Sequence, residues 1–590
     1  MWYSSNDFKE CIVGMVDGTE GREERCAEVY LKLLSDYGVD YFFMNPGTDT
    51  APLNEVFAKF AAKGIEKPSL VLVPHEIVAT SMAYGYALVS GKPQVVMVHV
   101  TVGTANALGG VMSAYRARVP MIFTAGRTPI TEEGVEGGRD ISVHWGQESF
   151  DQGGFLREFV KWDYELRTTK QLRTVVDRAF RVATTEPQGP VYLILPREWL
   201  MEKVEENEKR PIRIGKPTSL PNADIGKLRD IARLLLNADN PLIITSRLGR
   251  RTDAVNVLVK LAELLAIPVI ESPRYFMNFP TENPLHVGYD PKPYLEKADM
   301  VLLIDSDIPW IPSNTKPKED AKIIHIDIDP AHTPYPIWGF PVDIPIIADP
   351  SLAITSLNSI LEECLSDDKL KHEDIRDRYE KIREEHNQQR DLWKKTAQKA
   401  GRSKSIDFSW LSFVVNEVKD EDTILFNEYD LDSTQIELAK PGTYFRTSPA
   451  AWLGSGLGAA IGGKMAAPPR TVIACVGDGS YMFGVPTACH WVSNKYRIPF
   501  LTIIFNNQCY NAVKRTVRRL FPNGWSVKTG NFAGVDLDPS PNFAQIAEAN
   551  NCHGETVKDP KELKDALIRG LKTVREQKRQ ALIDVICKQP

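Results

Sequence analysis

The sequence predicts an α/β protein composed of three domains, each built on a doubly wound parallel sheet. Short apolar runs alternate with helix-like segments in the N-terminal, central and C-terminal parts of the chain, and this alternation is typical of parallel sheets covered by helices. A polar, proline-punctuated stretch at 199–220 and a charge-rich stretch near 361–405 separate these parts. The length of 590 residues agrees with about three or four domains of roughly 150 residues each.

We therefore expect five segments along the chain. They are an N-terminal arm at 1–21, a first domain at 22–200, a central domain at 215–360, a charged helical linker at 361–405 and a third domain at 406–590. The arm is inferred because its apolar residues show no clear periodicity. No short-period repeat relates the three domains.

The first and central domains show the alternation most clearly. Strands of the first domain are predicted at Tyr41–Met44, Ser69–Val73, Gln94–Val98 and Met121–Ala125. Its helices are predicted at Arg22–Tyr37, in the alanine-rich segment after Glu76, and at about Gly103–Arg118. GPVYLILPRE, at 189–198, indicates a strand followed by a turn, and the central domain has strand-like runs at LIIT, IPVIE, MVLLID and KIIHIDI.

The composition indicates a globular protein and gives no reason to expect a nucleic-acid or membrane partner. Hydrophobic residues make up 43% and charged residues 25% of the chain, and the net charge is −6. No apolar run approaches the roughly 18 to 20 residues of a membrane span, and the N-terminus has no signal-peptide pattern. The eight cysteines include no C-x-x-C pair, so they support neither a disulfide framework nor a zinc site. We expect a cytoplasmic location.

The third domain contains the stretch with the most chemistry. A predicted buried strand, Val472–Val476, leads into Gly477-Asp478-Gly479-Ser480 and a helix from Tyr481 to about Asn494. A second strand, Phe500–Phe505, ends at Asn506-Asn507. Because parallel strands deliver their carboxyl ends to one sheet edge, Asp478 and Asn507 are expected to lie side by side.

Asp478 and Asn507 together suit a magnesium ion that holds a phosphate. A carboxylate, an amide oxygen and a nearby carbonyl form the hard oxygen set that Mg²⁺ prefers. The glycines and the helix start after Asp478 offer backbone N–H groups to the phosphate. The nearby basic residues Lys514, Arg515, Arg518 and Arg519 form either a solvated helix face or a lid over a diphosphate or substrate.

GDGS, followed after about thirty residues by NN, resembles the diphosphate signature of thiamine-diphosphate enzymes. The resemblance implies that Mg²⁺ is held by Asp478, by the Asn507 side chain and by the Cys509 main-chain carbonyl. It also implies cofactor contacts at Gly477, Gly479, Ser480 and Tyr510.

Two segments outside this signature resemble the same family. Glu76, in HEIVATSMAYGYAL, matches its activating glutamate, which protonates the aminopyrimidine ring of thiamine diphosphate so that the imino tautomer can remove the C2 proton. Apart from the resemblance, Glu76 can be interpreted as an acidic residue in the first turn of a helix, where its negative charge interacts favourably with the helix dipole. In AWLGSGLGAAIG, Leu453 stands where the family has an apolar residue that wedges the cofactor into a bent form, and core packing is a compatible interpretation.

The resemblance covers nearly the whole chain, in the order pyrimidine-binding, central and diphosphate-binding domain. This is the order of acetolactate synthase, benzoylformate decarboxylase and benzaldehyde lyase. Family members place the cofactor between the first domain of one subunit and the third of the next. A homodimer at minimum, with a homotetramer as the expected assembly, is therefore implied.

Signals for the reaction point in two directions. VHVTVGTANALGG resembles a loop of benzoylformate decarboxylase, with His99 at that enzyme's histidine and Thr48 at its serine in NPGT. Such a histidine would protonate the enamine and release an aldehyde. The alternative is that His99 is a hydrogen-bonded histidine at a strand end. That enzyme's second histidine has no match in IDSDIPWIPSN, whereas GRTPI, KIIHIDIDP and FDQ resemble acetolactate synthase.

The first hypothesis is an acetolactate-synthase-like carboligase that joins 2-oxo acids, with a pyruvate-type donor, through an enamine. The second is a non-oxidative 2-oxo acid decarboxylase or aldehyde lyase that uses His99. The third is a non-catalytic binding homologue. The expected cofactors are thiamine diphosphate and Mg²⁺, and FAD is doubtful because the central domain lacks the flavin-contacting runs of acetolactate synthases.

Overall fold

Three separate parallel sheets, each covered by helices, form the fold, which confirms the predicted α/β class with three doubly wound domains. The structure is a computed structural model that describes residues 24–204, 215, 218–366 and 369–589. The predicted N-terminal arm at 1–21 lies outside the described residues, as does part of the stretch at 199–220. The proposed domain boundaries stay a prediction.

Neighbouring strands are parallel throughout the three sheets. The first sheet contains β1 (Tyr41–Met44), β2 (Ser69–Leu72), β3 (Val95–Val98), β4 (Met121–Arg127), β5 (Asp163–Glu165) and β6 (Pro190–Pro196). The central sheet contains β7 (Pro241–Thr245), β8 (Val269–Glu271), β9 (Met300–Ile304), β10 (Lys322–Asp327) and β11 (Ile344–Ile347). The third contains β12 (Ile424–Glu428), β13 (Tyr444–Arg446), β14 (Val472–Gly477), β15 (Leu501–Asn506), β16 (His553–Val557) and β17 (Ala581–Ile586). An additional antiparallel ribbon pairs Glu24–Arg25 with Lys203–Val204.

Helices connect these strands and cover both faces of the sheets. In the first domain they are α1 (Cys26–Asp36), α2 (Ala51–Ala62), α3 (Glu76–Ser90), α4 (Val100–Arg116), α5 (Val143–Gly146), α6 (Leu172–Thr184) and α7 (Arg197–Met201). The central domain and the segment after it contain α8 (Ile225–Asn237), α9 (Thr252–Leu265), α10 (Lys292–Leu295), α11 (Pro350–Leu365) and α12 (Lys369–Ala400). The third domain contains α13 (Phe408–Val418), α14 (Ser455–Ala466), α15 (Asp478–Phe483), α16 (Pro486–Tyr496), α17 (Asn511–Leu520), α18 (Trp525–Thr529), α19 (Phe543–Glu548) and α20 (Leu563–Arg575).

The first and third sheets have the same strand order. The first runs β2-β1-β3-β4-β6-β5 and the third runs β13-β12-β14-β15-β17-β16, so each strand of one sheet has a counterpart in the other. In both sheets the chain reverses its direction of winding between the first and third strands. Doubly wound sheets bind ligands outside the carboxyl ends of the strands at such a reversal. The topology therefore marks one candidate ligand edge on each of these two domains.

Helices α3 and α14 join the first domain to the third through contacts between their backbones. A Cβ atom on Gly85 would overlap the backbone of Ala459, and one on Gly462 would overlap the carbonyl of Met82. Only glycine permits this approach. The apolar side chains around the two helices form one core that continues from the first domain into the third.

Three local predictions differ from the structure. The helix expected from Tyr481 to about Asn494 starts at Asp478 and is divided into α15 and α16, because Pro486 begins a new helix after Val485, whose φ is 51°. The turn expected after strand β6 is the short helix α7. Helix α1 starts at Cys26 and not at Arg22, since the two residues before Cys26 pair in the ribbon.

The longest described helix, α12, has 32 residues and lies in the charged stretch that was predicted to be helical. Among the described residues, no helix combines the length and apolar character needed to cross a membrane. The cytoplasmic location stays a prediction.

Candidate functional site

Asp478 lies at the ligand edge of the third sheet, directly after β14. It is the first residue of α15, and its side chain is buried, with a relative exposure of 2% for the residue. Its Oδ2 atom has no hydrogen-bond partner. Burial raises the pKa of Asp478 to about 6. A buried carboxylate oxygen without a partner is the atom expected at a cation site.

Asn507 and Cys509 lie at the same edge, after β15. Asn507 Oδ1 accepts a hydrogen bond from the Cys509 amide at 3.0 Å, and the Cys509 carbonyl accepts one from the Asn511 amide at 2.9 Å. Gly477, directly before Asp478, pairs in the parallel ladder with Phe505, two residues before Asn507. The structure thus brings the three predicted magnesium ligands together.

The predicted phosphate-contacting residues surround Asp478. A Cβ atom on Gly477 would press on the Asp430 side chain, and one on Gly479 would press on the Tyr510 ring, so a side chain at either position would displace a neighbour. Ser480 is buried close to Glu428. Because Gly477 and Gly479 carry no side chains, the backbone after β14 is not covered by them. Its N–H groups at the start of α15 can therefore contact a phosphate.

Two further carboxyl groups, Glu428 and Asp430, reach this edge from the end of β12. Glu428 accepts hydrogen bonds from the Gly454 and Gly456 amides, and burial raises its pKa to about 7. Burial, followed by the charges of Asp478 and Glu428, raises the pKa of Asp430 to about 7. Sequence reasoning missed both residues because strand β12 was not predicted. A signal existed in FNEYD, where acidic residues follow an apolar run.

Leu453 is half-buried in the turn before α14. The next residue, Gly454, has a φ of 82° and packs against the backbone of Gly484, where a Cβ atom would overlap. The core does not enclose Leu453 completely, so its proposed contact with a cofactor stays open.

The basic cluster on α17 divides into packed and exposed residues. Lys514 is buried, lies 5.2 Å from the centroid of the Phe532 ring and is 3.9 Å from Asp536 Oδ1. Arg518 lies 5.0 Å from the centroid of the same ring. Arg515 is exposed, and its charge acts on Asp430 at the edge of the sheet. Part of the cluster therefore has a packing role, while Arg515 faces the candidate site.

Glu76 is the first residue of α3 and is buried, with a relative exposure of 7%. Its Oε2 atom accepts a hydrogen bond from Asn106 Nδ2 at 3.3 Å. Among the residues that the structure describes, no hydrogen bond or ion pair joins Glu76 to Asp478 or Asn507. Within one chain, the acid therefore makes no direct polar contact with these two proposed metal ligands.

His99 directly follows β3, at the ligand edge of the first sheet. Its Nδ1 atom is hydrogen-bonded to the buried Asp49, and its Nε2 atom lies 3.1 Å from Gln147 Nε2. The hydrogen bond with Asp49 raises the pKa of His99. Val100, the next residue, has a φ of 33°, which is strained for a β-branched side chain. Thr48 is exposed on the adjacent turn.

Sequence reasoning missed Asp49 and Gln147. Asp49 stands next to Thr48 in NPGTD, and Gln147 lies in HWGQESF, so both were in segments that had drawn attention. The pairing itself depends on a tertiary contact that no local pattern predicts.

We expect Asp49→Asn to lower the pKa of His99, because the substitution removes the carboxylate that stabilises the imidazolium form. An imidazole NMR titration measures the shift. The pair stabilises the folded chain below the ordinary histidine pKa and loses this effect as the pH rises through the raised value, so the pH dependence of unfolding should weaken as well. Asp140→Asn is the control. It removes a carboxylate beside His144 and should leave the pKa of His99 unchanged. An unchanged or higher pKa of His99 in Asp49→Asn would contradict this assignment.

Three family models, all of thiamine pyrophosphate enzymes, match the chain in order. The N-terminal TPP binding domain matches residues 24–155, the central domain matches 228–357, and the C-terminal TPP binding domain matches 430–585. The three matches enclose the three parallel sheets, apart from strands near the domain ends.

Among curated relatives, the acetolactate synthase large subunit of Buchnera aphidicola subsp. Schizaphis graminum is 26% identical over 576 residues, which cover 93% of this chain and 92% of that protein. The benzoylformate decarboxylase of Pseudomonas aeruginosa is 25% identical over 502 residues, which cover 82% of this chain and 86% of that protein.

Two solved structures share the fold. The thiamine diphosphate-dependent 4-hydroxybenzoylformate decarboxylase of Rhodococcus jostii RHA1 has a TM-score of 0.73 at 24% identity, covering 96% of this chain and 100% of that chain. The benzoylformate decarboxylase of Polynucleobacter necessarius has a TM-score of 0.76 at 20% identity, covering 96% and 99%. At these identities the likeness establishes the fold.

Proposed function

Because the chain belongs to the thiamine pyrophosphate enzyme family, we propose that it is a thiamine-diphosphate- and Mg²⁺-dependent carboligase that joins small 2-oxo acids, with a pyruvate-type donor. The observation that carries the carboligase assignment is the full-length similarity to proteins named acetolactate synthase large subunit, at 92–93% coverage of both chains for the Buchnera protein. The central-domain stretch after β9 supports it, since it contains no histidine that could act as a second proton donor.

The residues at the third sheet fit magnesium and a diphosphate. The unpartnered Asp478 Oδ2, the Asn507 amide oxygen and the Cys509 carbonyl would hold Mg²⁺. Gly477 and Gly479 leave room for a diphosphate against the start of α15. When bound, thiamine diphosphate supplies the electron sink for adding a 2-oxo acid and losing CO₂.

Glu76 would hold a proton against the aminopyrimidine ring of the cofactor. Its burial keeps water away from the carboxyl group, and Asn106 orients Oε2 by a hydrogen bond. The half-buried Leu453 would support the bent form of the cofactor. These roles follow from the family resemblance and stay proposals for this chain.

We propose a homodimer at minimum and a homotetramer as the full assembly, with Glu76 of one subunit meeting the Asp478 edge of another. Support comes from large apolar side chains exposed on both halves of the proposed site. They are Trp145, Phe150 and Phe155 on the first domain, and Phe483, Phe521 and Trp525 on the third. Phe150 is fully exposed and Trp525 is 81% exposed. Contact of such large apolar side chains with water is unfavourable, so these surfaces are expected to be covered by another subunit.

FAD stays outside the proposed cofactor set. At the switch point of the central sheet, between β7 and β9, the buried Arg247 is paired with Asp307. Tyr335 donates a hydrogen bond to the same carboxylate at 2.9 Å. These side chains lie at the edge where a doubly wound sheet would bind a nucleotide, and they are already paired with one another.

A second candidate function is a non-oxidative 2-oxo acid decarboxylase or aldehyde lyase. The observation that favours it is the Asp49–His99 pair, because the raised pKa of His99 keeps a proton available at the ligand edge of the first sheet. Thr48 would assist in binding the substrate carboxylate from the adjacent turn.

Incubation of the purified protein with pyruvate, thiamine diphosphate and Mg²⁺ distinguishes the two candidates. We expect acetolactate, detected as acetoin after acidification. Free acetaldehyde without acetolactate would support the second candidate and contradict the first. If neither product forms, a pyruvate donor is wrong for both.

A further inference from the structure

A second group of potential metal ligands lies in the central domain, away from the site described above. His325 and Asp327 are at the end of β10, and His332 follows in the next loop. One ligand atom from each residue lies within 4.8 Å of the others. All three residues are buried, with relative exposures of 0–1%.

Four polar atoms of this cluster have no hydrogen-bond partner of ordinary geometry. They are both ring nitrogens of His325, Oδ2 of Asp327 and Nδ1 of His332. Buried polar atoms are nearly always satisfied in folded proteins, so several orphaned atoms facing one another need an explanation. A cation bound among them would satisfy Asp327 Oδ2, His332 Nδ1 and one ring nitrogen of His325.

We propose that His325, Asp327 and His332 bind a divalent transition-metal ion, with Zn²⁺ as the best fit. Two imidazole nitrogens and one carboxylate oxygen suit Zn²⁺ and related ions, whereas Mg²⁺ prefers oxygen ligands alone. This site is independent of the proposed Mg²⁺ site at Asp478 and of the carboligase assignment.

In two of the proposed ligands, the polar atom that does not face the cluster is held by hydrogen bonds, as is usual in metal sites. His332 Nε2 lies 3.2 Å from the Ser306 carbonyl, so Nε2 carries the proton and Nδ1 presents its lone pair to the cluster. Asp327 Oδ1 accepts hydrogen bonds from Arg118 Nη1 and from the Asp329 amide, both at 2.7 Å, which leaves Oδ2 free.

The local charge permits a further cation. Arg118 enters from the first domain and lies 2.7 Å from Asp327 Oδ1 and 3.4 Å from Asp305 Oδ1, so two carboxylates face one guanidinium group. The neighbouring Arg247 and Arg250 are each paired with another carboxylate. Excess negative charge therefore remains at the cluster.

The spacing is close to that of a bound ion. His325 Nε2 and Asp327 Oδ2 are 3.9 Å apart, while tetrahedral Zn²⁺ with bonds of about 2.0–2.2 Å places its ligand atoms roughly 3.3–3.6 Å apart. Metal binding therefore requires side-chain rotations that bring the three ligand atoms, which lie within 4.8 Å of one another, closer together. Trp338 covers the cluster, with its ring centroid 4.7 Å from that of His332 and 5.7 Å from that of His325. A covered site indicates a structural ion that fixes the loop after β10.

The test uses the full chain loaded with thiamine diphosphate and excess Mg²⁺, so that the Asp478 site is already occupied. After equilibration with Zn²⁺ and gel filtration, we expect elemental analysis to find about one Zn²⁺ per chain. Zn²⁺ should raise the melting temperature. Co²⁺ in its place should give the visible absorption of a tetrahedral site with nitrogen ligands.

His325→Gln and His332→Gln should each weaken Zn²⁺ binding by about 100-fold or more and remove the rise in melting temperature. His386→Gln is the matched control, because His386 is also buried but lies outside the cluster and is hydrogen-bonded to the His286 carbonyl. Zn²⁺ binding in the control should equal that of the unchanged protein.

The proposal is overturned if the unchanged protein retains no Zn²⁺ or Co²⁺, or if both glutamine variants bind Zn²⁺ as tightly as the control. If the variants do not fold, the Co²⁺ spectrum of the unchanged protein decides, since a spectrum of oxygen ligands alone excludes the two histidines. Loss of carboligase activity has no bearing on these readouts.

Discussion

Glu76→Gln is expected to bind thiamine diphosphate as well as the unchanged enzyme does but to lose about 10²–10⁴-fold in kcat. Glutamine has nearly the same shape and can keep the contact with Asn106, yet its amide cannot deliver the proton that the aminopyrimidine ring needs. Calorimetry measures the affinity for the cofactor, and product formation from pyruvate measures kcat. Exchange of the C2 hydrogen for deuterium, followed by NMR, isolates the step that Glu76 would assist.

Glu55→Gln provides the matched control, since Glu55 is exposed on α2 of the same domain. It should retain full activity. If Glu76→Gln keeps its rate of C2 exchange, the proposed role of Glu76 is wrong. If the unchanged protein binds the cofactor without any exchange at C2, the non-catalytic binding homologue becomes the better description.

Asp478→Ala is expected to abolish Mg²⁺-dependent binding of thiamine diphosphate, with a loss in affinity of about 100-fold or more. The substitution removes the carboxylate whose Oδ2 atom is buried and unpartnered, and the amide and carbonyl oxygens that remain carry no full charge to hold Mg²⁺. Calorimetry with and without Mg²⁺ measures the effect. Asp565→Ala, an exposed change on α20 of the same domain, should bind the cofactor normally. Unchanged affinity in Asp478→Ala would remove the metal assignment.

The two variants together test whether the site is shared between subunits. If Glu76 and Asp478 of different subunits form one site, a dimer of one Glu76→Gln chain and one Asp478→Ala chain has one intact site and one doubly altered site. Co-expression of the two inactive chains should then restore about a quarter of the unchanged activity, because half of the dimers are mixed and each has one working site. No recovery in isolated mixed dimers would contradict the shared site.

The sequence predicted the sheets well where strands are short, apolar and buried. Strand β1 was predicted at its observed bounds, and β14 and β15 differ by single residues at their ends. The break between α15 and α16 was missed, although Pro486 could have indicated it. Helix boundaries depend on capping contacts, which a periodicity of apolar residues does not reveal.

For the candidate site, the sequence could place residues only at the ends of predicted strands. Asp478 and Asn507 were brought to one edge by this rule alone. Glu428 and Asp430 arrive from a strand that was not predicted, and Asp49 reaches His99 across a turn. Such pairs are set by tertiary packing, and neither spacing nor composition encodes them.

The metal cluster of the central domain shows the same limit. His325 and Asp327 are two residues apart on β10, so their side chains project from the same face of the strand. His332 joins them only because the following loop folds back over the sheet edge. The cysteine pattern, on which zinc sites are often recognised, carries no information about this arrangement.

The close approach of α3 and α14 has a mechanical consequence for the proposed assembly. Glu76 begins one of these helices, and the Leu453 turn leads into the other. In the proposed assembly, every subunit would contribute an acid to one reaction centre and a cofactor support to the centre of its neighbour. The two helices contact each other through backbone atoms and not through flexible side chains. A displacement of one helix should therefore move the other helix as well. The paired centres of a dimer would then respond to substrate as a connected unit.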